Sequence, residues 1–197
     1  MAVNNQTHQI NTNTTKNSIC SIQIQAITFG ALWENYPSSA PCDGKNGRGE
    51  PAFSDQCAIR VGVALKKSGT TFKSYPKNGK CWFGHEDHVL RAEELAAWLK
   101  TAPRFCGWQK PNDVTGLKWE ESIRGRTGII FFKDYWQREG ERGSSGDHID
   151  LWNGSRLTNS SARGVLTTFA RFTLGIQSGP GFSDLGKASQ ILFWNIS

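Results

Sequence analysis

Three things are missing from this chain of 197 residues. No apolar run approaches the roughly 20 residues that a membrane-spanning helix needs, so no such span is expected. The opening stretch, rich in Asn, Thr and Gln, lacks the charged start and apolar segment of a secretory signal. That predicts synthesis in the cytoplasm and export, if any, by another route. Nor is there a basic block. The net charge of +6 is scattered along the chain, so charge alone does not select nucleic acid as a partner. It suits any polyanionic partner, an acidic cell wall included.

What is present is enough for a folded domain. Hydrophobic residues make up 37% and charged residues 20%, the balance of a globular chain with a sizeable core. The polar stretch over residues 1–20 reads as a disordered tail, and residues 21–197 read as one domain. Phe29, Leu32 and Trp33 fall on one side of a short helix. Tyr36 to Pro51, with three prolines and several glycines, reads as a loop.

That loop leads into the stretch around which the rest is organised. Ala58, Ile59, Val61, Val63, Ala64 and Leu65 leave almost no polar face, which predicts a helix running through a core. Ser54 or Asp55 is the expected N-cap. Lys66 and Lys67 suit the negative end of the helix dipole, and Gly69 suits the stop. Cys57 then sits in the first turn, where the positive end of the dipole favours thiolate, the nucleophilic form. The alternative is a small core residue.

Five cysteines is an odd number. With Cys57 set aside, Cys20, Cys42, Cys81 and Cys106 remain, and they can pair in an oxidising compartment in ways that the sequence does not fix. Cys81, His85, His88 and Cys106 suggest a metal set, but C-x3-H-x2-H followed by a distant Cys is not a standard zinc spacing. No metal and no cofactor is expected.

Further along, Val89–Lys100 reads as a helix with Ala92, Leu95, Ala96 and Leu99 in one stripe. Thr101 to Gly125 reads as a long connection. Ile129, Ile130, Phe131 and Phe132 form a continuous apolar run, as in a strand covered on both faces. The glycine-rich charged stretch Gln137 to Asp147 reads as an exposed loop, a rim or lid. Leu166 to Leu174 fits either a helix or a strand, Gly175 to Gly186 reads as a loop, and Ile191 to Ile196 reads as a closing strand. Trp82, Trp136 and Trp152 suit either a groove wall or packing.

Between those segments lies His148-Ile149-Asp150-Leu151-Trp152, then Asn153-Gly154, then Ser155 to Asn159. Asn-Gly between two strand-like runs is a hairpin signal, because both residues accept positive φ. A two-residue loop pairs Trp152 with Ser155 and brings His148 opposite Asn159. Asp150 lies two places along on the strand that carries His148. Either can orient the imidazole: Asn159 by proximity, Asp150 by charge. The parts are then those of a Cys–His acyl-transfer machine. The Cys57 thiolate attacks a carbonyl, and the backbone amide of Cys57 is a candidate oxyanion donor, with the second donor unassigned. His148 moves the proton, and a third group holds the ring.

The motifs FGALW (Phe29 to Trp33), DQCAIR (Asp55 to Arg60), DHIDLWNG (Asp147 to Gly154) and the terminal ILFW resemble those of the fourth family of type VI secretion amidase effectors. The resemblance implies an α+β, papain-like cysteine peptidase fold, with the nucleophile helix packed on a small antiparallel sheet. It implies a toxin injected without a signal peptide, acting in the periplasm of a recipient cell. There it would hydrolyse the bond between γ-D-glutamate and diaminopimelate in peptidoglycan stem peptides. It implies the secretion machinery and an immunity protein as partners, Cys57 as nucleophile and His148 as general base. The family's third residue is an aspartate eleven positions past the histidine. Here that position is Asn159, which orients without contributing charge. The paired cysteines that the family carries after the hairpin are missing. Two other classes share some of these features: a cysteine hydrolase or transferase acting on protein, and a non-enzymatic carbohydrate- or nucleic-acid-binding module.

Overall fold

The computed structural model describes residues 7–11, 21–101, 108–137, 144–158 and 184–197, of which 7–11, 21–25, 137 and 144 are described as backbone. It is a mixed structure of short helices and antiparallel strands. Where the sequence reads as a polar tail, the backbone of Thr7–Asn11 (β1) pairs antiparallel with Ser21–Gln25 (β2). A polar composition does not prevent main-chain groups from pairing with each other.

The short helix is Phe29–Glu34 (α1), capped by the Thr28 hydroxyl, which accepts from the Ala31 amide at 3.2 Å. Its Leu32 is fully buried, and Phe29 and Trp33 pack on the same core. The central helix is Cys57–Lys67 (α2), with seven residues from Ala58 to Leu65 buried, as the apolar run predicts. Lys66 and Lys67 occupy its last turn. Gly69, at φ 104°, ends it, with Gly69 N–H donating to the Lys66 carbonyl and Thr70 N–H to that of Leu65. This Schellman pattern satisfies two otherwise orphaned carbonyls. The N-cap is Gln56 rather than Ser54 or Asp55. The Gln56 side chain does not cap. It is drawn away to the backbone of Cys42, accepting from its amide and donating to its carbonyl, both at 2.9 Å.

The second helix, Ala92–Lys100 (α3), starts three residues later than its periodicity suggests, because Val89 is held in a bridge to Lys80. Its buried stripe is the expected one, with Trp98 added. The long connection after it holds two short elements, Asn112–Asp113 (β3) and Trp119–Ile123 (α4).

The main sheet contains Gly128–Gln137 (β4), Ser144–Trp152 (β5) and Gln190–Asn195 (β6), in the antiparallel order β3-β6-β4-β5. β4 is covered on both faces, as expected of its continuous apolar run. Ile129 and Phe131 enter the core beneath α2 and α3, while Ile130 and Phe132 enter a second core with Trp119, Trp152 and Phe193. The terminal run is a strand, but an interior one, flanked by β3 and β4. Ser144 to Asp147, expected in the loop, belongs to β5. Residues 138–143, with the lid reading, lie outside the described residues, as do Leu166 to Leu174 and the loop from Gly175 to residue 183. The end of that loop carries a short 3-10 turn at Leu185–Lys187.

Candidate active site

α2 and β5 supply the two reactive groups. Cys57 is the first residue of α2, and half-buried. At that position its amide has no acceptor within the helix. Among the described residues no side chain caps this end of α2, so the positive end of the dipole stays open toward the sulfur and whatever approaches it.

On β5 the side chains alternate. Ile149 and Leu151 enter the core under α2. His148 and Asp150 take the alternate positions on the outer strand of the described sheet. The Cys57 sulfur lies close enough to act on the His148 ring, whose Nε2 lies 3.4 Å from Asp150 Oδ2. With Nε2 turned to the carboxylate, Nδ1 is the ring nitrogen left for the sulfur. Burial disfavours the charged imidazole, but Asp150 and Cys57 beside it outweigh burial and hold His148 well above its ordinary value. Phe132 and Tyr135 frame the ring, with centroids 6.4 and 6.2 Å away.

Asp150 is itself buried and held from several sides. Its Oδ1 accepts from the Leu151 amide at 2.8 Å and from the Thr158 hydroxyl. The Tyr36 phenol lies beside Thr158 and Asp150, with one proton to offer them. Burial, then the charge of Asp150, pushes the Tyr36 phenol well above its ordinary range, so it remains a donor. Arg60 of α2 fixes the loop carrying Tyr36, donating to the carbonyls of Pro37 and Ser39 at 2.8 Å each.

The hairpin register differs from the one read in the sequence. The bridge joins Trp152 to Leu157, and the Asn153 amide donates to the Arg156 carbonyl at 3.0 Å. The turn is therefore four residues, Asn153 to Arg156, and not the two-residue Asn-Gly loop. The reason is the Asn153 side chain, whose Oδ1 accepts from the Ser155 and Arg156 amides and the Ser155 hydroxyl. The pairing that set Asn159 opposite His148 falls with that register, and Asn159 itself lies outside the described residues.

Of the tryptophans, Trp152 is buried, its indole donating to the Ile123 carbonyl at 3.2 Å. Trp136 packs on Gly146, and Trp82 is exposed against Phe53. Tyr36 and Thr158 escaped sequence reasoning, since neither belongs to a local motif. The hairpin arm offered one signal, a hydroxyl one strand position from facing Asp150.

Residues 53–194 match the family model of the type VI secretion system (T6SS) amidase effector protein 4, Tae4. The chain belongs to this family. The matched span contains Cys57, His148 and Asp150. Among solved structures it is similar to the effector–immunity system Tae4/Tai4 from Salmonella typhimurium (TM-score 0.54, 16% identity, covering 88% of this chain and 100% of that one). It is also similar to the type VI effector Tae4 from Enterobacter cloacae (TM-score 0.52, 17% identity, covering 88% and 98%). At such identities the likeness is one of fold. A comparison with curated proteins gives no match. Among the described residues no helix is long and apolar enough to cross a membrane.

Proposed function

We propose that this amidase effector is an antibacterial cysteine amidase of papain-like architecture, with residues 21–197 as one catalytic domain. Its substrate is the peptidoglycan stem peptide, cut between γ-D-glutamate and diaminopimelate. The observation that carries the mechanism is the chain of contacts Cys57–His148–Asp150, anchored by Tyr36 and Thr158.

In this mechanism the Cys57 thiolate attacks the stem-peptide carbonyl carbon. The Cys57 amide, at the uncapped start of α2, stabilises the developing oxyanion. His148, cationic in the resting pair, passes its proton to the leaving amine as the C–N bond breaks. It then takes a proton from water, which attacks the thioester and frees Cys57. Asp150 holds the ring and stabilises its charge throughout. Family membership supports the amidase class. The solved complexes of Tae4 with Tai4 support an immunity protein as partner here too. Delivery by the type VI machinery into the periplasm of a recipient cell follows from the same reading.

The test is digestion of purified muropeptides, with products identified by mass and by labelling of new amines. The expected product carries a free diaminopimelate amine. Cleavage at another stem bond would reject the assigned specificity, and stem peptides left whole would reject the amidase reading for this substrate.

A further inference from the structure

A second cluster of reactive side chains lies on the other side of α2, and the mechanism does not use it. The side chains of Cys42, Cys81, His85 and His88 bring one ligand atom each to a common point, all within 4.8 Å of one another. Cys81 Sγ lies 3.4 Å from His85 Nδ1 and 3.9 Å from His88 Nδ1. A zinc tetrahedron of two sulfurs at about 2.3 Å and two nitrogens at about 2.0–2.1 Å has edges of about 3.3–3.8 Å. The four groups are therefore spaced almost as such an ion would hold them.

We propose that Cys42, Cys81, His85 and His88 form a tetrahedral structural zinc site that fastens the loop entering α2 to the loop over residues 81–88.

Three observations support it beyond spacing. Cys42, Cys81 and His88 are buried, so their polar atoms need partners inside the protein. Both histidine rings bring Nδ1 toward the same sulfur, with the Cys42 thiol beside them. A divalent ion satisfies all four groups at once, and two thiolates with two imidazoles are a set that zinc takes. The backbone is also built around the cluster. The Cys81 amide donates to the His88 carbonyl at 2.8 Å, closing the histidine loop. Both backbone groups of Cys42 are held by the Gln56 side chain, next to Cys57. Gly62 of α2 lets the Asp87 carbonyl approach so closely that a Cβ there would lie 2.3 Å from its oxygen.

On binding, each thiol gives its proton to solvent and its sulfur lone pair to the ion. The resulting centre is neutral, with no change of oxidation state, and suits an apolar bed formed by Ile59 and Val63. The ion would also keep Cys42 and Cys81 from oxidising in a periplasm. Its role is structural, since all four positions of the tetrahedron are filled by protein and none is left for water. The metal set weighed and set aside on the sequence had Cys106 as its fourth member, and Cys106 lies outside the described residues. The structure supplies Cys42 instead, from a loop that no local spacing connects to the histidines.

The test is made on the full chain, without an affinity tag, purified under reducing conditions and titrated with Zn²⁺ against a chromophoric chelator. One zinc per chain, bound at about nanomolar affinity or tighter, is expected. Co²⁺ in its place should give the intense visible bands of a tetrahedral site and the ultraviolet charge transfer of thiolate ligation, which reads the ligand set without any substitution. Cys42→Ser and His88→Gln should each lose stoichiometric binding, while Cys106→Ser and Cys57→Ala retain it. Removing zinc should lower the melting temperature of wild type by several degrees, even where the variants fail to fold. Three results would overturn the proposal: wild type that takes up no zinc, a Co²⁺ spectrum lacking thiolate ligation, or a Cys42–Cys81 disulfide in protein isolated without reductant and with zinc present. None of these bears on whether stem peptides are cleaved, so this inference and the amidase reading fail independently.

Discussion

Asp150 Oδ2 stands 3.4 Å from His148 Nε2, two positions along the same strand. A strand repeats its side-chain direction every second residue, so this pairing is built into β5 and needs no loop to create it. The carboxylate is fixed by Leu151 and Thr158 before any substrate arrives.

The first prediction concerns that carboxylate. Asp150→Ala should lower kcat by about 10²–10⁴, as loss of the orienting acid does in related triads, with little change in KM. Asn159→Ala should cost less. Steady-state kinetics on one muropeptide, with both variants checked for equal melting temperature, makes the comparison. A larger loss in Asn159→Ala would return the orienting role to that residue.

Dependence on pH follows from the direction of the His148 shift. Its folded value is raised, so imidazolium persists above the range where an ordinary histidine deprotonates. The basic limb of kcat/KM should therefore fall above about 6.5, the usual histidine value. In Asp150→Asn it should move down toward that value. The same shift has a stability consequence. A raised folded value contributes stability that is complete below the unfolded value and lost as pH rises through the folded one. Wild type should lose stability over that alkaline window, and Asp150→Asn should lose less, as read from urea midpoints across pH.

Tyr36→Phe removes a hydroxyl that lies beside Asp150 and Thr158 while keeping the ring. A hydrogen bond to a charged group is worth about 1.5–3 kcal/mol, which corresponds to about ten- to 150-fold in rate if all of it is felt in the transition state. A drop of that order in kcat with KM unchanged is expected. An unchanged kcat would remove Tyr36 from the positioning network.

Gly62→Ala tests the packing of α2 on the histidine loop. Its added carbon would meet the Asp87 carbonyl oxygen at 2.3 Å and Val89 Cγ2 at 2.9 Å. The clash should outweigh the helix preference for alanine and cost about 1–3 kcal/mol, read from the urea midpoint.

How much of this was legible in the sequence depended on how local the cause was. α2 was readable because its apolar residues, its two terminal lysines and Gly69 all act within one helix. β4 was readable because a run buried on both faces needs no alternation. Cys57 and His148 were readable as chemistry, and the fold supplied their contact. The hairpin register was misread because one side-chain oxygen, on Asn153, lengthened the turn by two residues. The helix start was misread because the Gln56 amide served a distant backbone. Tyr36 and Cys42 sit in a proline-rich loop, and only tertiary closure carries each to its cluster.

The measurement that bears most directly on the account is kcat/KM for stem-peptide hydrolysis by Cys57→Ala, at a melting temperature equal to that of wild type. The account predicts a fall of at least about 10³, because no other group can form the acyl intermediate. Hydrolysis by Cys57→Ala within a few-fold of the wild-type rate would contradict it.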